Sequence, residues 1–129
     1  MKQSALCILG FVALVAPIFA HHSAAAEYDI KSTIMVKGTV TNVEWTNPHV
    51  RFYVDVKGED SKVVNWEFES ASPNQLARSG WTRSIIKVGD VVTVEAYRAK
   101  DGANLGDALS VTTAEGRKLT GSTSTGEGR

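Results

Sequence analysis

The stretch Val50–Glu69, VRFYVDVKGEDSKVVNWEFE, decides how the rest of the chain is read. Val50, Phe52, Val54 and Val56 alternate with Arg51, Tyr53 and Asp55, the period of two that gives a strand one apolar and one polar face. Val64, Trp66 and Phe68 repeat the alternation against Asn65, Glu67 and Glu69. Between the two runs KGEDSK supplies Gly58 and Asp60, residues that turns need. The stretch therefore reads as a β-hairpin whose apolar side must be covered by further elements.

Toward the N-terminus, TIMVKGTVTNVEW (33–45) is a longer strand that changes phase midway. Val36, Gly38 and Val40 share one face by parity, whereas Val43 and Trp45 fall on the other. One extra residue near Thr41 or Asn42 restores a common face, which is what a β-bulge does. Gly38 inside the strand marks a bend. A long, bent first strand suits a small closed barrel, where it takes part in both halves of the sheet.

Toward the C-terminus one segment breaks the strand pattern. In SASPNQLARSGW (70–81), Ser72 is placed to cap, Pro73 suits the first helical position, Leu76 and Ala77 are apolar, and Gly80 stops the helix. KVGDVV then turns back into strand, and VVTVEAYRA (91–99) is a clear third apolar alternation. GDALSVTT and GRKLTG are shorter strands separated by a turn at Gly116. The order is three strands, one short helix, then two or three strands. That predicts an all-β, mostly antiparallel domain, a small OB-like Greek-key barrel, with a β-sandwich as the alternative.

Composition bounds the rest. At 129 residues the chain holds one domain at most. Residues 1–20 carry a positive Lys2, an apolar run and small residues, the layout of a secretory signal peptide. The run Ala5–Ala20 is 16 residues, short of the roughly 20 that a bilayer span takes. The expected product is a periplasmic or secreted domain over residues 21–120, with no stable membrane anchor after cleavage. GSTSTGEGR, residues 121–129, is too polar to repay its ordering and is expected to be a disordered tail. Without Lys2 the chain has 13 basic and 14 acidic side chains, a net charge of −1. That lacks the basic footprint of a nucleic-acid partner. Cys7 is the sole cysteine and lies in the signal, so the mature domain has neither disulfide nor thiolate chemistry.

Enzyme signatures are mostly absent. The chain contains no G-x-S-x-G, phosphate-binding glycine loop, H-E-x-x-H or C-x-x-C. Three histidines remain as candidate chemistry. If the signal is cut after Ala20, His21 becomes the N-terminus, and its α-amine and imidazole can chelate one metal ion. A second imidazole from the adjacent His22 or from His49 would complete a histidine brace, an arrangement suited to a copper ion. The α-amine titrates at roughly 7.7–8.0, so binding near neutral pH needs only modest proton release. Against that cut, the residue two before it is Ile18, bulkier than processing sites prefer. A cut after Ala25 or Ala26 places Ser23 or Ala24 there instead, and would discard both His21 and His22. A second candidate is a ligand groove on the polar face of the hairpin, lined by Arg51, Tyr53 and Glu67. The same residues equally describe a solvated face with cross-strand pairing. Three functions follow: a small exported binding module for a metal ion or small ligand, a structural or partner-binding domain that uses the Arg51–Tyr53 face without metal, or, least favoured, a copper-dependent redox enzyme.

The combination of motifs resembles a family of small exported bacterial proteins catalogued as a domain of unknown function. The residues that carry the likeness are HHS at His21–Ser23, EYD at Glu27–Asp29 and GTVTNVEWTNPH at Gly38–His49. VNWEFESASPNQLARSGWT and GDVVTVEAYRAKDG continue it, with EGR late in the chain. The resemblance implies an exported β-rich domain and puts both His21–His22 and His49 in the family pattern, which favours the cut after Ala20. The chain departs from that pattern at Ala24, where relatives tend to carry an aromatic, and at Ile18, where a small residue is usual.

Overall fold

The computed structural model describes residues 24–122. A single helical turn, α1 (Ala24–Glu27), leads into β1 (Ile34–Glu44), β2 (Arg51–Lys57) and β3 (Val63–Glu69). After α2 (Pro73–Arg78) come β4 (Val91–Arg98), β5 (Leu105–Thr113) and β6 (Lys118–Thr120). The strands lie in the order β3-β2-β1-β4-β5-β6, and β3 also pairs with β5 in parallel. That last pairing joins Glu67–Glu69 to Leu105–Asp107 and closes five strands into a barrel with β6 as an extra strand. The architecture is the OB-like barrel that the element order predicts, and closure removes the sandwich alternative.

β1 is shared between the two halves of the barrel. Its residues Ile34–Thr39 pair with β4, and Thr39–Glu44 pair with β2. The register slips between Val40 and Asn42, so Thr41 is the extra residue of a bulge, at one of the two positions that the phase change marks. The slip turns Val43 and Trp45 back onto the core beside the buried Val36 and Val40. Gly38 sits at the crossing point, where a Cβ would collide with the carbonyl oxygen of Asp55 and lie 2.7 Å from Val54 Cγ1. A second slip, opposite Glu95 and Ala96 of β4, leaves Leu109 of β5 as the extra residue, which the sequence reading does not anticipate.

The interior follows the alternation. Phe52, Val54, Val92, Val94 and Val111 are buried, and Phe68 stacks on Phe52 at 5.4 Å between ring centres. Trp66 stacks on Phe68 at 5.8 Å but stays half-buried, and Val63 and Val64 are exposed. The pairing with β5 begins only at Glu67, so the tip of the hairpin projects past the barrel wall.

α2 forms as its residues demand. Ser72 Oγ accepts from Gln75 N while the Gln75 side chain returns to the Ser72 backbone, a capping box, and Pro73 opens the helix. Gly80 takes φ +90 just beyond its end. Leu76 alone of the helix is buried, and it reaches the core with Trp81 and Ile86; Ala77 faces out. The C-terminal boundary lies later than composition suggests. Gly121 N–H donates to Leu109 O at 2.8 Å, Ala71 N–H donates to Gly121 O at 2.8 Å, and Ser122 is buried. The rest of the expected tail, residues 123–129, and the expected signal peptide, residues 1–20, lie outside the described residues. Among those described, no helix is long and apolar enough to cross a membrane.

Candidate functional site

His49 sits in the connection between β1 and β2, which contains a cis Asn47–Pro48 bond. The residue after it fixes the placement. Val50 is fully buried, and its N–H donates to Ala71 O at 3.0 Å. Its carbonyl accepts from Ser70 N and Ser70 Oγ, each at 2.9 Å. Those bonds tie the loop to the end of β3, so the His49 ring lies beside Ser70 and Glu69.

The imidazole Nδ1 is 3.0 Å from the Ser70 carbonyl oxygen and 3.0 Å from Glu69 Oε1. Both neighbours can only accept, so Nδ1 carries a proton, and in the neutral ring the lone pair is on Nε2. Nε2 has no partner among the described residues, and the side chain is 47% exposed. A histidine with one nitrogen tied to a carboxylate and a carbonyl, and the other open, has the arrangement that metal-binding histidines show. A shallow pocket of about 130 Å³ opens beside it, lined by Glu44, Thr46, Asn47, Pro48, His49 and Arg51.

Glu69 has a second set of partners. Its Oε2 accepts from the Tyr28 hydroxyl at 3.3 Å and lies 3.7 Å from Arg51 Nη2. Tyr28 belongs to the segment that leads into the barrel, and that segment is pinned to the end of β4. Asp29 N donates to Arg98 O at 2.9 Å, Lys100 N to Glu27 O at 2.9 Å, and Lys100 Nζ to Ala25 O at 2.5 Å. The Tyr28 phenol is held far above its ordinary ionisation range by burial, then by the charges of Glu69, Glu27 and Asp107. It stays a protonated donor. By register Glu44, Arg51, Glu69, Asp107 and Tyr97 follow one another across four pairings, a polar row around the outside of the barrel.

Arg51, Tyr53 and Glu67 are brought together on the outer face of β2 and β3. Arg51 Nε lies 3.6 Å from Glu67 Oε1, and Tyr53 donates to Glu44 Oε2 at 3.4 Å. Burial and the charges of Glu67 and Glu44 push the Tyr53 phenol up. His21 and His22 lie outside the described residues, six or seven positions before Tyr28. Among the described residues no three His, Cys, Asp or Glu side chains converge as a metal site.

DUF6152, a family of unknown function, matches residues 10–109. The chain belongs to that family. The match takes in His21, His22, Tyr28, His49, Glu69 and Asp107. A crystal structure of the mitochondrial single-stranded DNA binding protein Rim1 from S. cerevisiae shares the fold, at a TM-score of 0.50 and 12% identity. The superposition covers 64% of this chain and 93% of Rim1. No curated protein matches the chain in sequence.

Sequence reasoning singled out His49 but not what holds it. Glu69 has the parity of Glu67 and so reads as one more solvated acid, although its side chain is only 19% exposed. Tyr28 lies in a family motif, which is a signal, yet nothing local places it against Glu69, 41 residues away.

Proposed function

We propose that this DUF6152 protein is a small exported binding module, periplasmic or secreted, whose ligand is a transition metal ion, copper foremost. The α-amine and imidazole of His21 supply two donors, with His22 beside them, and His49 Nε2 supplies the donor from the barrel. The observation that carries this reading is the fixed His49 imidazole, Nδ1 tied and Nε2 open, next to the point where the N-terminal segment joins the barrel. Six extended residues span up to about 20 Å. That exceeds the two side chains, Tyr28 and Glu69, that separate the segment from His49.

The packing of α1 supports the cut after Ala20. A cut after Ala25 or Ala26 would remove the Ala24 carbonyl that accepts from Tyr28 N at 2.8 Å and the Ala25 carbonyl bound by Lys100. The fold shared with a DNA-binding protein does not bring that partner along. The outer faces of β2, β3 and the end of β1 carry Glu44, Asp55, Glu67 and Glu69 against Arg51 and Lys57, which repels phosphates. The same face, centred on Arg51 and Tyr53, carries the second reading, docking of a cationic periplasmic protein without metal. That reading expects binding lost in Tyr53→Ala.

The test has two steps. The intact mass of the exported protein fixes the N-terminus, expected at His21. Calorimetric titration with Cu(II) should then give one ion per chain, with affinity at least tenfold lower in His49→Ala. Equally weak binding by both proteins, or a mature chain that starts at Ala26 or Glu27, refutes the metal reading.

A further inference from the structure

We propose that Glu69 is the positioning residue that assembles this site, setting the aim of His49 and the docking of the N-terminal segment with one carboxylate. The inference rests on the metal reading and deepens it by naming the group that brings the two halves of the site together. An ionised carboxylate has two oxygens and about four acceptor positions, enough to serve two donors at once. Glu69 Oε2 accepts from the Tyr28 hydroxyl at 3.3 Å, and Oε1 lies 3.0 Å from His49 Nδ1, whose N–H also faces the Ser70 carbonyl oxygen at 3.0 Å. Arg51 stands farther off, at 3.7 Å, beyond hydrogen-bond reach. The carboxylate therefore gives the phenol a directional bond, stands as a close acceptor beside the imidazole Nδ1 that the Ser70 carbonyl also holds, and keeps only a diffuse attraction for the guanidinium.

The placement suits that role. Glu69 projects from a barrel strand, flanked by Arg51 on β2 and Asp107 on β5, so its own position is set by the sheet and not by a loop. Its side chain is 19% exposed, which leaves water little room to compete for either bond. Tyr28 is 3% exposed and bridges to Ala99, so the phenol is as firmly held as the carboxylate. The result is a short relay, Tyr28–Glu69–His49, in which seating of the N-terminal segment and orientation of Nε2 depend on each other. Supporting partners of this kind commonly change metal affinity by about 10–100-fold when removed.

The experiment uses the full exported protein with two variants, Tyr28→Phe, which deletes one hydroxyl and keeps the ring, and Glu69→Gln. Without metal, nitrogen NMR of His49 is expected to show the proton on Nδ1, and Tyr28→Phe is expected to shift those imidazole signals. Tyr28→Phe should also weaken amide protection over Ala24–Tyr28. With Cu(II), Glu69→Gln should lose about 10–100-fold in affinity at unchanged stoichiometry. Tyr28→Phe should add nothing once Glu69 is replaced, because it acts through that carboxylate. His49 signals unmoved by Tyr28→Phe, or two substitutions whose effects simply multiply, overturn the proposal. Absence of copper binding by the wild type overturns the metal reading by itself. The imidazole measurement, made without metal, then still supports or overturns the link between Tyr28 and His49.

Discussion

Replacing Gly38 by alanine tests the feature on which closure of the barrel depends. Gly38 immediately precedes Thr39, where β1 changes partner from β4 over its first half to β2 over its second. The chain there runs so close to β2 that an added methyl group overlaps the Asp55 carbonyl oxygen and comes within 2.7 Å of Val54 Cγ1 and 2.9 Å of Asp55 C. Two of those three atoms are backbone, so no side-chain rotation relieves the overlap and β1 must move away from β2. Overpacking of a well-filled core costs about 1–3 kcal/mol, and the rigid obstacle places this site near the upper end. Against total stabilities of about 5–15 kcal/mol that is a large fraction. With a urea slope of about 1.5 kcal/mol per molar, the unfolding midpoint should fall by about 2 M. Gly102→Ala is the control. That residue has φ +81 with no atom within 4 Å of the added Cβ, so it has backbone strain without collision. Its cost should stay near 1 kcal/mol. A Gly38→Ala midpoint no lower than that of Gly102→Ala would refute the close-approach argument.

Two further outcomes are expected. Tyr28 is held protonated in the folded state, whereas in the unfolded chain it ionises near pH 10. Its raised value therefore leaves stability intact below pH 10 and removes it as pH rises beyond, at up to about 1.4 kcal/mol per pH unit. Denaturant midpoints between pH 9 and 11 should fall more steeply in the wild type than in Tyr28→Phe, and parallel curves would contradict the burial of the phenol. At the other terminus, a chain ending at Thr120 should be less stable than one ending at Ser122. It loses the Gly121 bonds to Leu109 and Ala71, both 2.8 Å. At about 1 kcal/mol each, the loss is about 2 kcal/mol, read as a drop in thermal midpoint of about 10 °C. Equal midpoints would return the boundary to residue 120.

Much of the fold was legible because its signals are local. The alternation over Val50–Val56 and Val64–Phe68 assigned the inward faces of β2 and β3, and Phe52, Val54 and Phe68 are buried as that parity requires. The phase change in β1 narrowed its bulge to Thr41 or Asn42, since a strand with one buried face cannot change parity without an insertion, and the register selects Thr41. Ser72, Pro73 and Gly80 bounded α2, although Gln75 completes a capping box that the reading did not use. Gly121 and Ser122 read as tail because glycine and serine carry no apolar signal; Gly121 is ordered by backbone bonds to β5 and to Ala71, and Ser122 is buried beside it. The bulge at Leu109 of β5 was invisible for a similar reason, since the small Gly106 and Ala108 carry too little apolar signal to show the change of phase at Val111.

By itself the sequence determined which segments are strands, which side of each is apolar, and that His49 is the one histidine beyond the N-terminal pair. These properties depend on neighbours a few residues apart. Only the tertiary structure decided that β3 meets β5 in parallel, which closes the sheet as a barrel and sets Glu69 opposite Asp107. It alone placed Tyr28 and His49 on the two oxygens of Glu69. Register between strands distant in the chain is fixed by packing of the whole core, and no local period encodes it.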